Sequence, residues 1–268
     1  MSYEMLVLDL DGTLTNSEKK ISPATKAAIR KVQEMGKYVV LASGRPTYGI
    51  VPLAEELELA KYGGYILSFN GGKIINCRTH DVIYNKFIRP EYIAPICEYV
   101  QDFDANVISY TDSEIISAFA PNHETHIEAR INKMPIQQVD NFASHIDFPI
   151  NKLLVTGNAD LLAEMEISLR RKYRSSLNIF RSEPFFIEIM PQKIDKAHSL
   201  QKLLNSIGLS SNEMICCGDG FNDLTMIEYA GLGVAMANAQ PAVLDKADFV
   251  TLSNDEDGVL HVIEKFML

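Results

Sequence analysis

The N-terminal part of the chain alternates short apolar runs with segments of helical periodicity. Residues 5–8, 38–41 and 65–69 each form a continuous apolar run that ends in a polar turn. Runs of this length without alternation are typical of strands buried on both faces of a parallel sheet. The first helix between them is predicted to begin at Ser22-Pro23 and to end at Gly36. The order strand, helix, strand, helix, strand predicts a doubly wound α/β fold.

A second pattern replaces this alternation after Asn70-Gly71-Gly72. An antiparallel hairpin is predicted directly after these residues, followed by short paired strands and a long helix at 159–173. Strands that pair with one another and do not alternate with helices are typical of an α+β domain. We therefore expect a second domain inserted into the first.

The α/β alternation resumes beyond Pro191, with a helix at 196–207 and a strand at 214–217. The pattern thus predicts a Rossmann-like parallel-sheet core that is discontinuous in sequence and carries an α+β insertion. The expected bounds are residues 1–87 and 191–268 for the core and residues 88–190 for the insertion.

Composition and charge narrow the classes of partner. The chain has 268 residues, of which 47% are hydrophobic and 22% charged, close to the average of folded proteins. Its formal net charge of −10 disfavours binding to the phosphate backbone of a nucleic acid. The sequence has no apolar run near the roughly 20 residues that cross a bilayer, and no basic flank typical of a leader. We expect a cytoplasmic protein that binds neither nucleic acids nor membranes.

Two acidic pairs follow buried strands that are far apart in sequence. Asp9 and Asp11 come after the first strand, and Asp219 and Asp223 come after the strand at 214–217. Ligands of open α/β sheets bind at the carboxyl ends of strands. If the two strands are neighbours, four carboxylates converge, and a cation that prefers oxygen ligands, such as Mg²⁺ or Ca²⁺, would offset their repulsion. Taken separately, each pair is also explained by turn and cap chemistry.

Two further segments contain residues suited to bind an anion. Ser43-Gly44-Arg45 ends the second strand with a hydroxyl group, a glycine that exposes backbone N–H groups, and a guanidinium. Lys196 lies in the first turn of a helix, where the helix dipole disfavours a cation, and an anionic ligand would explain its position. The alternatives are that Arg45 pairs with a surface acid and that Lys196 is solvated.

The order of these motifs resembles that of the haloacid dehalogenase superfamily of phosphohydrolases. The Cof-like members with an α/β cap of type IIB have the most similar pattern, and the match extends over nearly the whole chain. The motifs that carry it are Asp9-Leu10-Asp11-Gly12-Thr13-Leu14, Ser43-Gly44-Arg45-Pro46, Lys196 and Gly218-Asp219-Gly220-Phe221-Asn222-Asp223. The family usually has Gly after the motif lysine, where this sequence has Ala197, and Lys193 is the alternative lysine.

The resemblance implies a role for each of these positions. Asp9 would be the nucleophile and Asp11 the general acid and base of a Mg²⁺-dependent phosphatase that forms an aspartyl phosphate. The implied substrates are small phosphorylated metabolites, with sugar phosphates as the main class, and the insertion would be a cap that sets specificity. The residues expected to bind the substrate phosphate are Gly12, Ser43, Gly44, Lys196 and Asn222. The residues expected to bind the metal are Asp9, Asp11, Asp219 and Asp223.

Two other functions are compatible with the same residues. A phosphomutase would pass the phosphoryl group to another position of a sugar instead of to water. A phospho-acceptor protein would keep Asp9 phosphorylated as a signal, but an acid at position 11 can activate water and would shorten the lifetime of that phosphate. Asp11 therefore favours an enzyme.

Overall fold

Strands and helices alternate along most of the chain, whose computed structural model describes residues 3–268. The strands are β1 (Met5–Leu8), β2 (Tyr38–Ala42), β3 (Tyr65–Ser68), β4 (Lys73–Asn76), β5 (Val82–Asn85), β6 (Ala105–Tyr110), β7 (Ile115–Ser117), β8 (Ile136–Gln138), β9 (Leu153–Gly157), β10 (Leu177–Glu183), β11 (Phe186–Pro191), β12 (Met214–Gly218), β13 (Leu232–Ala235) and β14 (Phe249–Val250). The helices are α1 (Pro23–Glu34), α2 (Thr47–Glu56), α3 (Leu59–Tyr62), α4 (Ile93–Gln101), α5 (His123–Asn132), α6 (Phe142–His145), α7 (Ala159–Tyr173), α8 (Lys196–Ile207), α9 (Leu224–Tyr229), α10 (Pro241–Leu244) and α11 (Gly258–Phe266). Within residues 3–268, no helix has the length and apolar character needed to span a bilayer.

An eight-stranded sheet has the order β14-β13-β12-β1-β2-β3-β4-β5. Its strands are parallel from β14 to β3, and β4 runs antiparallel to β3. The strand β1 lies in the middle, where Leu8 is in register with Leu41 of β2 and with Cys217 of β12. The predicted α/β class with a parallel-sheet core is confirmed.

Successive residues of β1 enter hydrophobic clusters on opposite faces of this sheet. Leu6 and Leu8 belong to the cluster that contains the buried residues of α1 and α11. Met5 and Val7 belong to the cluster that contains those of α8 and α9. All four side chains are fully buried, which is why the strand has no alternation of polar and apolar residues.

The chain divides into two compact units. The first comprises the residues up to Tyr84 together with Asp195–Leu268, and the second comprises Asn85–Ile194. The second unit therefore extends a few residues beyond the expected 88–190 at both ends. The reason lies in its hydrogen bonds, because the Asn151 side-chain amide donates to Asn85 Oδ1 at 2.6 Å and to the Lys86 carbonyl at 2.8 Å, and Lys86 Nζ donates to the Gln192 carbonyl.

The second unit contains a six-stranded sheet with the order β10-β11-β9-β6-β7-β8. Its pairs are antiparallel except for β7 with β8. One face packs against α4 and α7 through a hydrophobic cluster that includes Val107, Val155 and Ile187. The alternate residues of the same strands include the buried polar side chains Asn106 and Thr156. This unit is the α+β part of the fold.

Candidate active site

The carboxyl ends of β12, β1 and β2 lie side by side in the sheet. The motifs that follow these strands can therefore meet. The Asp9 N–H donates to the Cys217 carbonyl at 3.0 Å, which continues the β1–β12 ladder past the end of β1. The Ser43 N–H donates to the Leu67 carbonyl at 2.9 Å and continues the β2–β3 ladder in the same way. The parallel sheet therefore places the three sequence motifs at one edge.

Three carboxylates from this edge form a cluster. Oxygens of Asp9, Asp219 and Asp223 lie within 4.8 Å of one another, with Asp9 and Asp223 buried and Asp219 half-buried. Asp223 Oδ2 accepts hydrogen bonds from the N–H groups of Asp219 at 3.0 Å and Gly220 at 2.9 Å, which fixes the turn after β12. Asp219 Oδ1 accepts from the Thr13 hydroxyl at 2.8 Å. Residues from both acidic motifs thus hold one another in place.

Lys196 is the cation of this cluster. Its side chain is 0% exposed, and Nζ donates to Asp9 Oδ1 at 2.7 Å, to Asp223 Oδ1 at 2.6 Å and to the Ala42 carbonyl at 2.8 Å. These three acceptors match the three donors of an ammonium group. The alternative of a solvated lysine is therefore wrong. The other candidate, Lys193, belongs to the second unit.

Burial and mutual repulsion shift the pKa values of these acids. Burial raises the pKa of Asp9 well above its usual value, and the charge of Asp223 raises it further, while Lys196 opposes both effects. Burial also raises the pKa of Asp219 to about 6. When all groups are ionised, three carboxylates and one ammonium leave a formal charge of −2. A set of carboxylate oxygens with this excess charge fits a divalent cation of the Mg²⁺ type.

Asp11 has different surroundings from the other acids. Its Oδ2 accepts from Arg45 Nε at 2.8 Å, and its Oδ1 accepts from Arg45 Nη2 at 2.7 Å and from Lys19 Nζ at 2.8 Å. Burial raises the pKa of Asp11, but the hydrogen bonds and charges of Arg45 and Lys19 outweigh it and place the pKa below its usual value. The structure thus brings Asp9, Asp219 and Asp223 together, while the Asp11 carboxylate lies in a separate ion-pair network.

Comparisons with known proteins decide the family. The family model described as haloacid dehalogenase-like hydrolase matches residues 6–263. The chain belongs to this family. A solved haloacid dehalogenase-like hydrolase from Bacteroides thetaiotaomicron has a TM-score of 0.95 and 45% identity, covering 98% of this chain and 99% of that one. A solved protein from Thermotoga maritima has a TM-score of 0.88 and 31% identity, covering 99% and 98%.

A relative with a named activity is the 5-amino-6-(5-phospho-D-ribitylamino)uracil phosphatase YwtE of Bacillus subtilis. It is 30% identical over 290 residues, which cover 98% of this chain and 97% of that protein. This haloacid dehalogenase-like hydrolase is therefore an enzyme of the phosphatase type. The family resemblance carried by the sequence motifs is confirmed.

The remaining predicted phosphate ligands of this haloacid dehalogenase-like hydrolase lie in the segments that follow β1, β2 and β12. Gly12 has φ +83°, and a Cβ atom there would collide with the Asp219 carboxylate. Ser43 is buried, and its Oγ accepts from the Arg45 N–H at 3.2 Å. A Cβ atom at Gly44 would lie 3.0 Å from Asn70 Oδ1, the same oxygen that accepts from Asn222 Nδ2 at 3.1 Å.

Sequence reasoning missed two residues that shape this site. Asn70 was assigned only to a turn, yet its N–H donates to the Ser43 carbonyl at 3.0 Å and its side chain accepts from Asn222. Its φ of 52° lies in the left-handed region, which Asn tolerates better than most residues, so an Asn directly after an apolar run is the signal that the sequence offers. Lys19, the second cation on Asp11, lies in a polar loop in which the sequence gives no indication of a partner.

Proposed function

We propose that this phosphatase is Mg²⁺-dependent and hydrolyses small phosphorylated metabolites, sugar phosphates in particular, through a phosphorylated Asp9. The observation that carries the proposal is the buried Asp9 carboxylate, which lies beside two further carboxylates and accepts a hydrogen bond from a fully buried lysine. Such a concentration of charge is costly in a protein interior, and clusters of this kind are characteristic of catalytic sites.

The Asp9 carboxylate has one oxygen available for attack. Lys196 holds Oδ1, whereas Oδ2 accepts no hydrogen bond from any group in the described residues 3–268. An ionised carboxylate needs no base to attack phosphorus. In the first step, the bond from Asp9 to phosphorus forms while the bond from phosphorus to the ester oxygen breaks, and Asp11, in its protonated form, gives its proton to that oxygen. In the second step, water attacks phosphorus while the bond from Asp9 to phosphorus breaks. Asp11 takes a proton from that water, and phosphate and the Asp9 carboxylate are released.

The residues around Asp9 would bind the metal ion and stabilise the negative charge of the phosphoryl group during transfer. Asp9, Asp219 and Asp223 would bind Mg²⁺, whereas the carboxylate of Asp11, the fourth predicted ligand, lies outside this cluster and pairs with Arg45 and Lys19. When bound, the ion would supply positive charge that offsets the repulsion between these carboxylates and the substrate phosphate. Lys196 and the backbone N–H groups near Gly12 and Gly44 would stabilise the equatorial oxygens of the phosphoryl group. Ser43 and Asn222 complete the proposed set.

The second unit would act as the cap that selects the substrate. It is inserted between the first unit's two segments and has a sheet and a hydrophobic cluster of its own. A function separate from that of the core suits such an insertion, because recognition of the leaving group can change while the phosphoryl-transfer site stays constant. The named activity of the Bacillus relative, a phosphate ester on a ribityl chain, supports small phosphorylated polyhydroxy compounds as the substrate class.

The test is phosphate release from a panel of sugar phosphates, nucleotides and an aryl phosphate, measured with Mg²⁺ and with a chelator. The wild type should release phosphate only with the metal, and Asp9→Asn should lower the rate by about three orders of magnitude or more, since the nucleophile is lost. Asp147→Asn, which changes an exposed acid of the second unit, serves as the matched control and should be unaffected.

The same assay separates the competing functions. An isomeric phosphate ester without free phosphate would indicate a phosphomutase. A phosphorylated protein that persists for many minutes in Mg²⁺ would indicate a phospho-acceptor. Turnover that survives in pure Asp9→Asn protein would contradict the assigned nucleophile.

A further inference from the structure

We propose that Lys86 and Lys193 form a binding site for a small anion of the phosphate type. Both residues lie in the second unit, Lys86 next to its first residue and Lys193 next to its last. The proposed site consists of residues other than those of the acidic cluster around Asp9, and it does not depend on the proposed phosphatase mechanism.

Hydrogen bonds bring the start and the end of the second unit together at Gln192. Lys86 Nζ donates to the Gln192 carbonyl, and Lys193 is the next residue along the chain. The Lys86 carbonyl accepts from the Asn151 side-chain amide at 2.8 Å, which fixes the backbone of this lysine. The Gln192 side chain donates to the Arg174 carbonyl at the end of α7. Three segments that are far apart in sequence therefore meet here, and each contains a basic residue.

These basic residues have no acidic counterpart. Acids outnumber basic residues by 35 to 25 in the chain, yet none of the acids within residues 3–268 forms an ion pair with Lys86, Lys193 or Arg174. Asp195, the acid nearest to Lys193 along the chain, is the N-cap of α8, where its Oδ1 accepts from the His198 N–H at 2.8 Å. Like charges repel unless a counterion offsets them. An anion would therefore stabilise this arrangement.

The two lysines still have donors to offer. An ammonium group has three N–H donors, and the Gln192 carbonyl accepts from one of those of Lys86. Lys86 is half-buried, and burial together with the nearby charge of Lys193 lowers its pKa. The Lys193 side chain is exposed and extends from a backbone with φ +57°, in the left-handed region. One lysine is thus held in place, while the other can turn toward a ligand beside it.

A phosphate group has the charge and the oxygens that this arrangement can bind. A phosphate ester carries a charge of about −1.5 to −2 at pH 7 and has three strong acceptor oxygens. Lys86 and Lys193 would each donate to a different oxygen, in charge-assisted hydrogen bonds. The positive charge of Arg174 would add to the attraction. Because the lysines belong to the start and the end of the second unit, one bound anion would link the two.

Inorganic phosphate is the probe for this site. The full chain is titrated with it by isothermal calorimetry in the presence of a chelator, at an ionic strength kept constant with chloride. We expect saturable binding of one phosphate per chain. Lys86→Met and Lys193→Met should each weaken it by about tenfold, because each removes a charge-assisted hydrogen bond. Lys193→Arg should keep most of the affinity. Lys202→Met removes an exposed lysine of α8 and is the matched control, which should bind phosphate as the wild type does.

Two further measurements locate the anion. The double variant Lys86→Met/Lys193→Met should lose less affinity than the product of the two single losses, because both lysines bind the same anion. Phosphate should slow hydrogen exchange in residues 85–88 and 191–194 but not in residues 9–14. Loss of binding in Lys196→Met, with binding retained in Lys86→Met and Lys193→Met, would place the anion at the acidic cluster and overturn the proposal.

The remaining outcomes separate a specific site from general attraction of charge. Equal affinity in all variants, or an effect that chloride reproduces, would overturn the proposal. Titration with glycerol phosphate distinguishes two sources of the ligand. Equal affinity for both compounds would show a site for the phosphate group alone, and tighter binding of the ester would show a site for organic phosphates. Circular dichroism identifies a variant that fails to fold. If Lys86→Met does so, because its hydrogen bond to Gln192 is lost, the variants of the exposed Lys193 decide.

Discussion

The carboxylates around Asp9 are held together against their mutual repulsion. Lys196 neutralises one charge, and the burial of Asp9 and Asp223 removes the water that would screen the others. The raised pKa values of Asp9 and Asp219 are the signature of this cost. At the scale of single residues, the metal-free site therefore destabilises the fold. A bound cation should raise the free energy of unfolding, because its positive charge offsets the repulsion between the carboxylates.

Asp219→Asn tests whether the charge of Asp219 destabilises the folded protein. Folding raises the pKa of Asp219 to about 6, whereas an aspartate of the unfolded chain has a pKa of about 3.9. The folded protein therefore binds a proton at Asp219 more tightly than the unfolded chain does. The stabilisation from the proton is complete at low pH and is lost as pH rises through about 6. In chelator at pH 7.5 the variant should therefore melt higher than the wild type, by roughly 2–4 °C, and the difference should shrink toward pH 5.

Addition of Mg²⁺ should reverse the order in that melting experiment. A ligand that binds only the folded state raises the melting temperature, and the wild type has one more carboxylate to bind it. The exposed Asp245→Asn serves as control and should shift neither curve. A variant that is less stable than the wild type in chelator would show that Asp219 is not strained by its neighbours.

The sequence was sufficient to predict that Asp9, Asp219 and Asp223 converge, but it did not separate the Asp11 carboxylate from them or identify which side chains pair. Asp9 and Asp219 follow continuous apolar runs, and parallel strands bring their carboxyl ends to one edge. The pairing of Arg45 with Asp11 depends on the rotamers of two side chains that are far apart in sequence. Neither hydrophobic period nor spacing carries that information, so the alternative in which Arg45 pairs with an acid could be stated but its partner could not be named.

At the scale of elements, α5 shows why a helix of the second unit escaped prediction. Its buried positions are Thr125, Glu128 and Asn132, so it has no apolar stripe of the kind that predicts a helix. Polar contacts hold it instead, including Tyr110 Oη donating to Glu128 at 2.7 Å. By contrast, the prediction for α7 at 159–173 is correct at both ends, and its buried residues Leu162, Met165, Leu169 and Tyr173 recur at helical spacing.

Asn122→Ala should destabilise the second unit more than the equivalent change at another N-cap. Asn122 Oδ1 accepts from the N–H and hydroxyl of Thr125 and from the Thr156 hydroxyl, at 2.7–2.9 Å, and its amide donates to the Thr156 carbonyl. The loss of a cap and of cross-links to β9 should cost about 2–3 kcal/mol. Asn158→Ala removes an exposed cap of α7 and should cost about 1 kcal/mol.

Urea denaturation of both variants measures these losses, and hydrogen exchange in α5 locates the first. Equal losses for the two variants would mean that Asn122 acts only as a helix cap. Unchanged exchange in α5 would contradict the role of the polar contacts in holding this helix.

At the scale of the whole molecule, the two units differ in how their sheets are assembled from the sequence. The first sheet needs both segments of the chain, because β1 pairs with β12 as well as with β2. Every strand pair of the second sheet and every residue of its hydrophobic cluster lie between Asn85 and Ile194. Insertion into the core therefore interrupts the sequence of the core but not that of the inserted unit.

We expect residues 85–194 to fold as a separate fragment. Its ends are joined by the hydrogen bond from Lys86 Nζ to the Gln192 carbonyl, and its N-terminal segment is held by the Ile88 N–H, which donates to the Ile150 carbonyl at 2.8 Å. The fragment should show a single cooperative urea transition by circular dichroism, since an independent core satisfies the requirement for a domain.

The fragment 1–84 is the control for this experiment. It contains β1, β2 and β3 but lacks β12, so the edge of β1 that pairs with Met214–Gly218 stays open and one of the two clusters over β1 loses α8 and α9. We expect this fragment to remain unfolded or to aggregate. If 85–194 unfolded without cooperativity while the full chain did not, the stability of the second unit would have to come from the core, and insertion of an autonomous domain would no longer describe this chain.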